Sequence, residues 1–70
     1  MTLDELPTNT LGVITRSHRK DLQDYCFSEG ERVIIIAKAL FDGPIAVRIL
    51  SGGVFALRIE EAKTIEVNIL

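Results

Sequence analysis

Apolar and polar residues change period several times along the chain, and each change marks an expected element. Leu11 to Thr15 is apolar and β-branched behind the turn-like Thr8-Asn9-Thr10, which predicts a first strand, with a bulge or bend expected at Gly12. Between Arg19 and Phe27 the interval lengthens: Leu22, Tyr25 and Cys26 recur at i, i+3, i+4, the spacing of a short amphipathic helix. Arg32 to Phe41 returns to a strand pattern, with Val33, Ile35 and Ala37 expected inward and Ile34 and Ile36 outward. Ile45, Val47 and Ile49 alternate with Ala46 and Arg48, and Phe55 and Leu57 alternate with Val54, Ala56 and Arg58. Ile65 and Val67 close the chain in the same style.

The punctuation between these runs is short. Asp42-Gly43-Pro44 predicts a tight connection in which Gly43 takes a positive φ and Pro44 opens the next strand. Ser51-Gly52-Gly53 predicts a hairpin turn, and Glu60-Glu61-Ala62 a one-turn 3₁₀ corner whose two carboxylates face water rather than a substrate. Ahead of the first strand, Leu3, Leu6 and Pro7 form a lead-in. The sum is an all-β domain over residues 1–70: a small barrel of about five short strands, closed on itself to hide its edges, with one short α-helix between the first two strands.

Composition narrows what such a domain does. At 70 residues it buries only about 60% of the surface its unfolded chain exposes, yet 47% apolar residues supply a core and 26% charged residues keep it in water. A net charge of −2 offers no broad positive field for nucleic acid, and the basic run Arg16 to Lys20 is diluted by Asp21 and Asp24. Cys26 is the single cysteine, which excludes an internal disulfide or a zinc site on paired cysteines. The N-terminus lacks the basic and apolar regions of a secretory signal, and the apolar run from Val33 to Ala37 is far short of the roughly 20 residues of a spanning helix. A cytoplasmic protein with no direct membrane insertion is expected.

In order along the chain stand TLDELP, a Gly-x-Ile step at Gly12 to Ile14, LQDYCFSEGERVIII, GPIAVRI and FALRIEEAKTIEV. This combination resembles the bacterial ferrous-iron-transport protein A (FeoA) family over nearly the whole chain, most closely in the C-terminal half. The resemblance implies an SH3-like barrel and a cytoplasmic accessory of the membrane transporter FeoB. The chain departs from the family pattern in three places. Tyr25-Cys26-Phe27 stands where the family ends its helix with Leu-Gly-Leu, so Cys26 replaces a helix-end glycine; Asp21 stands where arginine is common, and Arg16 where an apolar residue is common.

Candidate chemistry is sparse. His18 has no spaced partner for nucleophilic or acid–base work, so the protein is expected not to be an enzyme. His18, Asp21, Asp24 and Cys26 could together ligate Fe²⁺ or another divalent transition metal, the alternative reading as a metal-binding regulator or iron chaperone; otherwise no cofactor is expected. An aromatic-lined groove for proline-rich peptides is not expected, since there is no Trp and at least two of Tyr25, Phe27, Phe41 and Phe55 are needed in the core. What remains is an apolar exterior. Leu22, Tyr25, Phe27, Ile34, Ile36 and Val54 are the expected partner contacts, for the transporter or for a second copy of the chain; the alternative is that the Leu3-Leu6 segment or the helix lies over the outer strand face and makes it core.

Overall fold

The computed structural model describes residues 1–18 and 27–70. Five antiparallel strands make one sheet: β1 (Leu11–Ser17), β2 (Arg32–Lys38), β3 (Ile45–Ile49), β4 (Val54–Leu57) and β5 (Ile65–Ile69), in the order β4-β3-β2-β1-β5. A 3₁₀ turn, Leu3–Glu5, precedes β1, and a four-residue helix α1, Ile59–Ala62, joins β4 to β5. The helix expected between β1 and β2 lies outside the described residues except for Phe27.

Each strand turns alternate side chains to one interior. Ile14, Val33, Ile35, Ile45, Val47, Ile49, Leu57, Ile65 and Val67 are buried there, joined by Leu3, Leu6, Phe27 and Ala62. Burying each of the larger ones contributes about 1.5–3 kcal/mol. Phe27 meets the half-buried Phe55 edge to face, with centroids 5.5 Å apart and planes at 67°. The alternation expected for β3, β4 and β5 is therefore what the structure shows.

Two strands break it. In β2 the pairing to β3 slips between Ile35 and Ala37, so Ile36 is the extra residue of a bulge. Ala37, expected inward, consequently faces out opposite Ala46, and Lys38 falls in line with the interior residues Ile45 and Leu57. In β1 the bulge lies between Ile14 and Arg16, at Thr15, rather than at Gly12. Gly12 instead provides clearance, because a Cβ there would stand 3.0 Å from Leu6 Cδ2 and 3.3 Å from the Asn68 carbonyl. Glycine lets the lead-in segment seat Leu6 on the barrel.

Both short turns are closed by a carboxylate. The backbone N–H of Thr2 donates to Glu5 Oε1 at 2.8 Å and that of Arg58 to Glu61 Oε1 at 2.9 Å. Each glutamate thereby satisfies a donor that the turn leaves unpaired. The corner at Glu60-Glu61 is one turn, as expected, but an α-turn: Lys63 N–H reaches the Ile59 carbonyl at 3.0 Å.

Gly12→Ala should cost about 1 kcal/mol or more through overpacking, and less than that in a Leu6→Ala background, where the clashing methyl groups are gone. The small gain from restricting the unfolded chain is the same in both backgrounds and cancels in the comparison. Urea unfolding of the four proteins measures it; an equal cost in both backgrounds would show that Leu6 is not what requires the glycine.

Candidate partner-docking surface

The hairpin between β2 and β3 carries the most exposed apolar side chains of the described structure. Beyond Lys38 the ladder continues, with Ala39 N–H donating to the Pro44 carbonyl at 3.1 Å and Gly43 N–H to the Leu40 carbonyl at 3.2 Å. That leaves Phe41 and Asp42 as the two residues of the turn, at φ 58° and 59°. Positive φ at both central positions is the I′ pattern, whose twist matches the flanking strands. The turn sits one residue earlier than expected, and Gly43 is not the residue with positive φ. Gly43 is needed for closeness: a Cβ would come within 2.7 Å of Ala39 Cβ.

Asp tolerates the left-handed region; phenylalanine does not, and there a side chain costs on the order of 1 kcal/mol. Phe41 is nonetheless 97% exposed and Leu40 81% exposed. The fold gains no burial from either ring or isobutyl group, and it bears strain to display the ring.

The outer face of the sheet adds a second apolar area. Ala37, Ala46 and Ala56 stand opposite one another across β2, β3 and β4. Beside them runs Leu11, Ile34, Arg48 and Val54. Ile34 is half-buried, whereas Ile36 is 41% and Val54 58% exposed. Of the expected contacts, then, Ile36 and Val54 are displayed and Ile34 is displayed in part. Phe27 is a correction: at 1% exposure it is core, held by Phe55. Leu22 and Tyr25 lie outside the described residues. Sequence reasoning misses Leu40 and Phe41 because the strand pattern runs through them; the signal available is an aromatic immediately before Asp-Gly.

The polar features of the described residues are local pairs and one open cleft. His18 Nε2 lies 2.5 Å from Glu66 Oε2, and that hydrogen bond, helped by the charges of His18 and Arg16, holds the Glu66 carboxyl below its ordinary value of 4.5. Glu5 is likewise lowered, by the backbone and hydroxyl donors of Thr2. Asp21, Asp24 and Cys26 lie outside the described residues, and among the described residues no three His, Cys, Asp or Glu converge as metal ligands. An open cleft of about 400 Å³ at the barrel mouth is lined by Asp4, Asp42, Glu60, Lys38 and Lys63 above Ile45 and Ile59. Its charged lining among the described residues is thus three carboxylates and two lysines.

A family model described as the FeoA domain matches residues 1–69. The chain belongs to the FeoA family. Solved FeoA structures carry the same SH3-like fold. A Stenotrophomonas maltophilia FeoA, solved in complex with zinc and described as a prokaryotic SH3-domain protein, is 34% identical, with a TM-score of 0.84 over 97% of this chain and 89% of that one. A FeoA-like protein from Clostridium acetobutylicum is 27% identical, with a TM-score of 0.88 over 100% of this chain and 86% of that one. The Chlorobium tepidum FeoA protein is also 27% identical at a TM-score of 0.88, covering 100% of this chain and 70% of that one. No curated protein matches by sequence. The FeoA family is associated with ferrous iron transport, and no helix among the described residues of this member is long and apolar enough to cross a membrane.

If Phe41 is displayed against the interest of the fold, Phe41→Asn should stabilise the isolated domain by about 0.5–1 kcal/mol, since Asn accepts the left-handed region readily. A lower urea midpoint for Phe41→Asn than for the parent would show that the ring supports the fold.

Proposed function

We propose that the protein is a non-enzymatic cytoplasmic accessory of ferrous iron uptake that docks on a FeoB-type membrane transporter. The observation that carries this reading is the strained, exposed Leu40-Phe41 tip at the end of the β2–β3 hairpin. Aromatic side chains on a fixed support are the usual anchors of protein contacts, because they bring a large apolar area with few rotatable bonds to immobilise. Ile36 at the β2 bulge and Val54 on the outer face are further exposed apolar side chains. The S. maltophilia relative is itself described as a candidate ferrous-iron-transport activating factor, which agrees with an accessory role. The accessory reading is preferred because the feature that stands out among the described residues is this apolar tip; of the alternative's metal donors, Asp21, Asp24 and Cys26 lie outside those residues.

Phe41→Asn and Ile36→Asp should each fold as well as the parent and lose at least tenfold in affinity for the transporter, read by co-purification and by titration of the transporter's cytoplasmic portion. Retention of parental affinity by both variants would remove the tip and its flank from the contact.

A further inference from the structure

The two edges of the sheet are treated differently. Along the outer side of β5, Val67 N–H donates to the Met1 carbonyl at 2.8 Å and Thr2 bridges Glu66, so that edge is covered by the chain's own first residues. The edge at β4 has no such cover among the described residues. Edge strands ordinarily carry a charge, a proline or a bulge that discourages pairing. Val54-Phe55-Ala56-Leu57 has none of these.

Which backbone groups face outward follows from the register. Ile49 N–H donates to the Gly53 carbonyl at 3.1 Å, so Gly53 and, by alternation, Phe55 and Leu57 turn their N–H and C=O toward β3. Val54 and Ala56 turn theirs away from the sheet. The row ends on both sides. Arg58 N–H is held by Glu61, its carbonyl accepts from Glu61 and Ala62, and Gly52 N–H is held by Ile49. Among the described residues, the free edge is thus the donor and acceptor pair of Val54 and that of Ala56.

We propose that this edge is a homodimer contact, in which β4 of one copy pairs antiparallel with β4 of a second about a two-fold axis at Phe55. In that register Val54 of each copy lies opposite Ala56 of the other. Both are residues whose backbone groups face outward, so each of the two pairs exchanges both of its hydrogen bonds and nothing on the edge is left over. The same register puts side chains of like direction together. Val54 meets Ala56 on the outer face, the two Phe55 rings stand as a directly opposed pair, and Arg58 falls opposite Gly52, so no like charges meet. A shift by one residue would set edge-facing groups against groups already bonded to β3. The alanine row Ala37-Ala46-Ala56 of one copy then runs on into the Val54-Arg48-Ile34 row of the other, making one continuous sheet. A second copy is favoured over an unrelated strand because the edge complements itself in length, hydrogen-bond phase and charge.

The experiment is sedimentation equilibrium of the full chain from about 10 μM to 1 mM, with amide exchange followed by NMR at both ends of that range. The expected result is a mass rising from 7.8 kDa toward twice that value. The Val54 and Ala56 amides should exchange at least tenfold more slowly at the higher concentration, with Phe55 unchanged. Ala56→Pro removes an N–H that only the free edge uses, and should leave the domain monomeric at 1 mM. A monomer throughout, or association that leaves the Val54 and Ala56 amides unprotected, overturns the proposal. So does association that persists in a folded Ala56→Pro; if that variant does not fold, the exchange measurement on the unaltered chain decides alone.

Discussion

A barrel this small has room for a single layer of interior side chains, and every strand must deliver its apolar residues to that layer. Period-two alternation does so for β3 and β5 without adjustment. It fails for β2, because seven consecutive alternating positions would put Ala37 inside and Lys38 out. The bulge at Ile36 reverses the phase after Ile35. Its consequences run outward: Ala37 joins the outer alanine row, Lys38 turns to the barrel mouth and donates to the Asp4 carbonyl at 3.0 Å, and Ile36 is pushed into solvent. The exterior that docking would use is in part a by-product of how the interior is filled.

The lead-in segment obeys the same constraint. Leu3 and Leu6 are fully buried although they belong to no strand, and Gly12 is the position that makes room for Leu6. With Glu5 and Glu61 each capping a turn, the ends of the barrel are closed by short local hydrogen bonds and apolar plugs rather than by long-range polar networks. Among the described residues no buried side-chain nitrogen or oxygen is left without a partner. The two neighbouring carboxylates that invite a catalytic reading divide accordingly: Glu61 caps α1 and Glu60 borders the open cleft.

Much of this is legible in the sequence because it depends on local pattern. The strand runs, the hairpin glycines, the corner at Glu60-Glu61 and the inward set Ile45, Val47, Ile49, Leu57, Ile65 and Val67 follow from period and turn chemistry alone. What is not legible depends on contacts distant in sequence. Nothing local tells Ile36 apart from Ile34 as the bulged residue, since the slip is defined against β3. Gly12 looks like a bulge until Leu6 is seen against it. Phe27 reads as a surface aromatic until Phe55 meets it. The pattern places the turn one residue late because Asp42-Gly43 carries the stronger turn signal, while the geometry uses glycine for the approach to Ala39 and leaves Phe41 with the positive φ.

The central claim is that a residue displayed at a cost to the fold is displayed for a partner. The most direct test is to follow the backbone amides of the ¹⁵N-labelled domain by NMR while adding the cytoplasmic portion of a FeoB-type transporter. The expected result is that signals from Ile36 and from Leu40 to Gly43 shift or broaden first, while interior reporters such as Val47 and Ile65 hold their positions. Binding that perturbs other surfaces and leaves Leu40 to Gly43 untouched would contradict it.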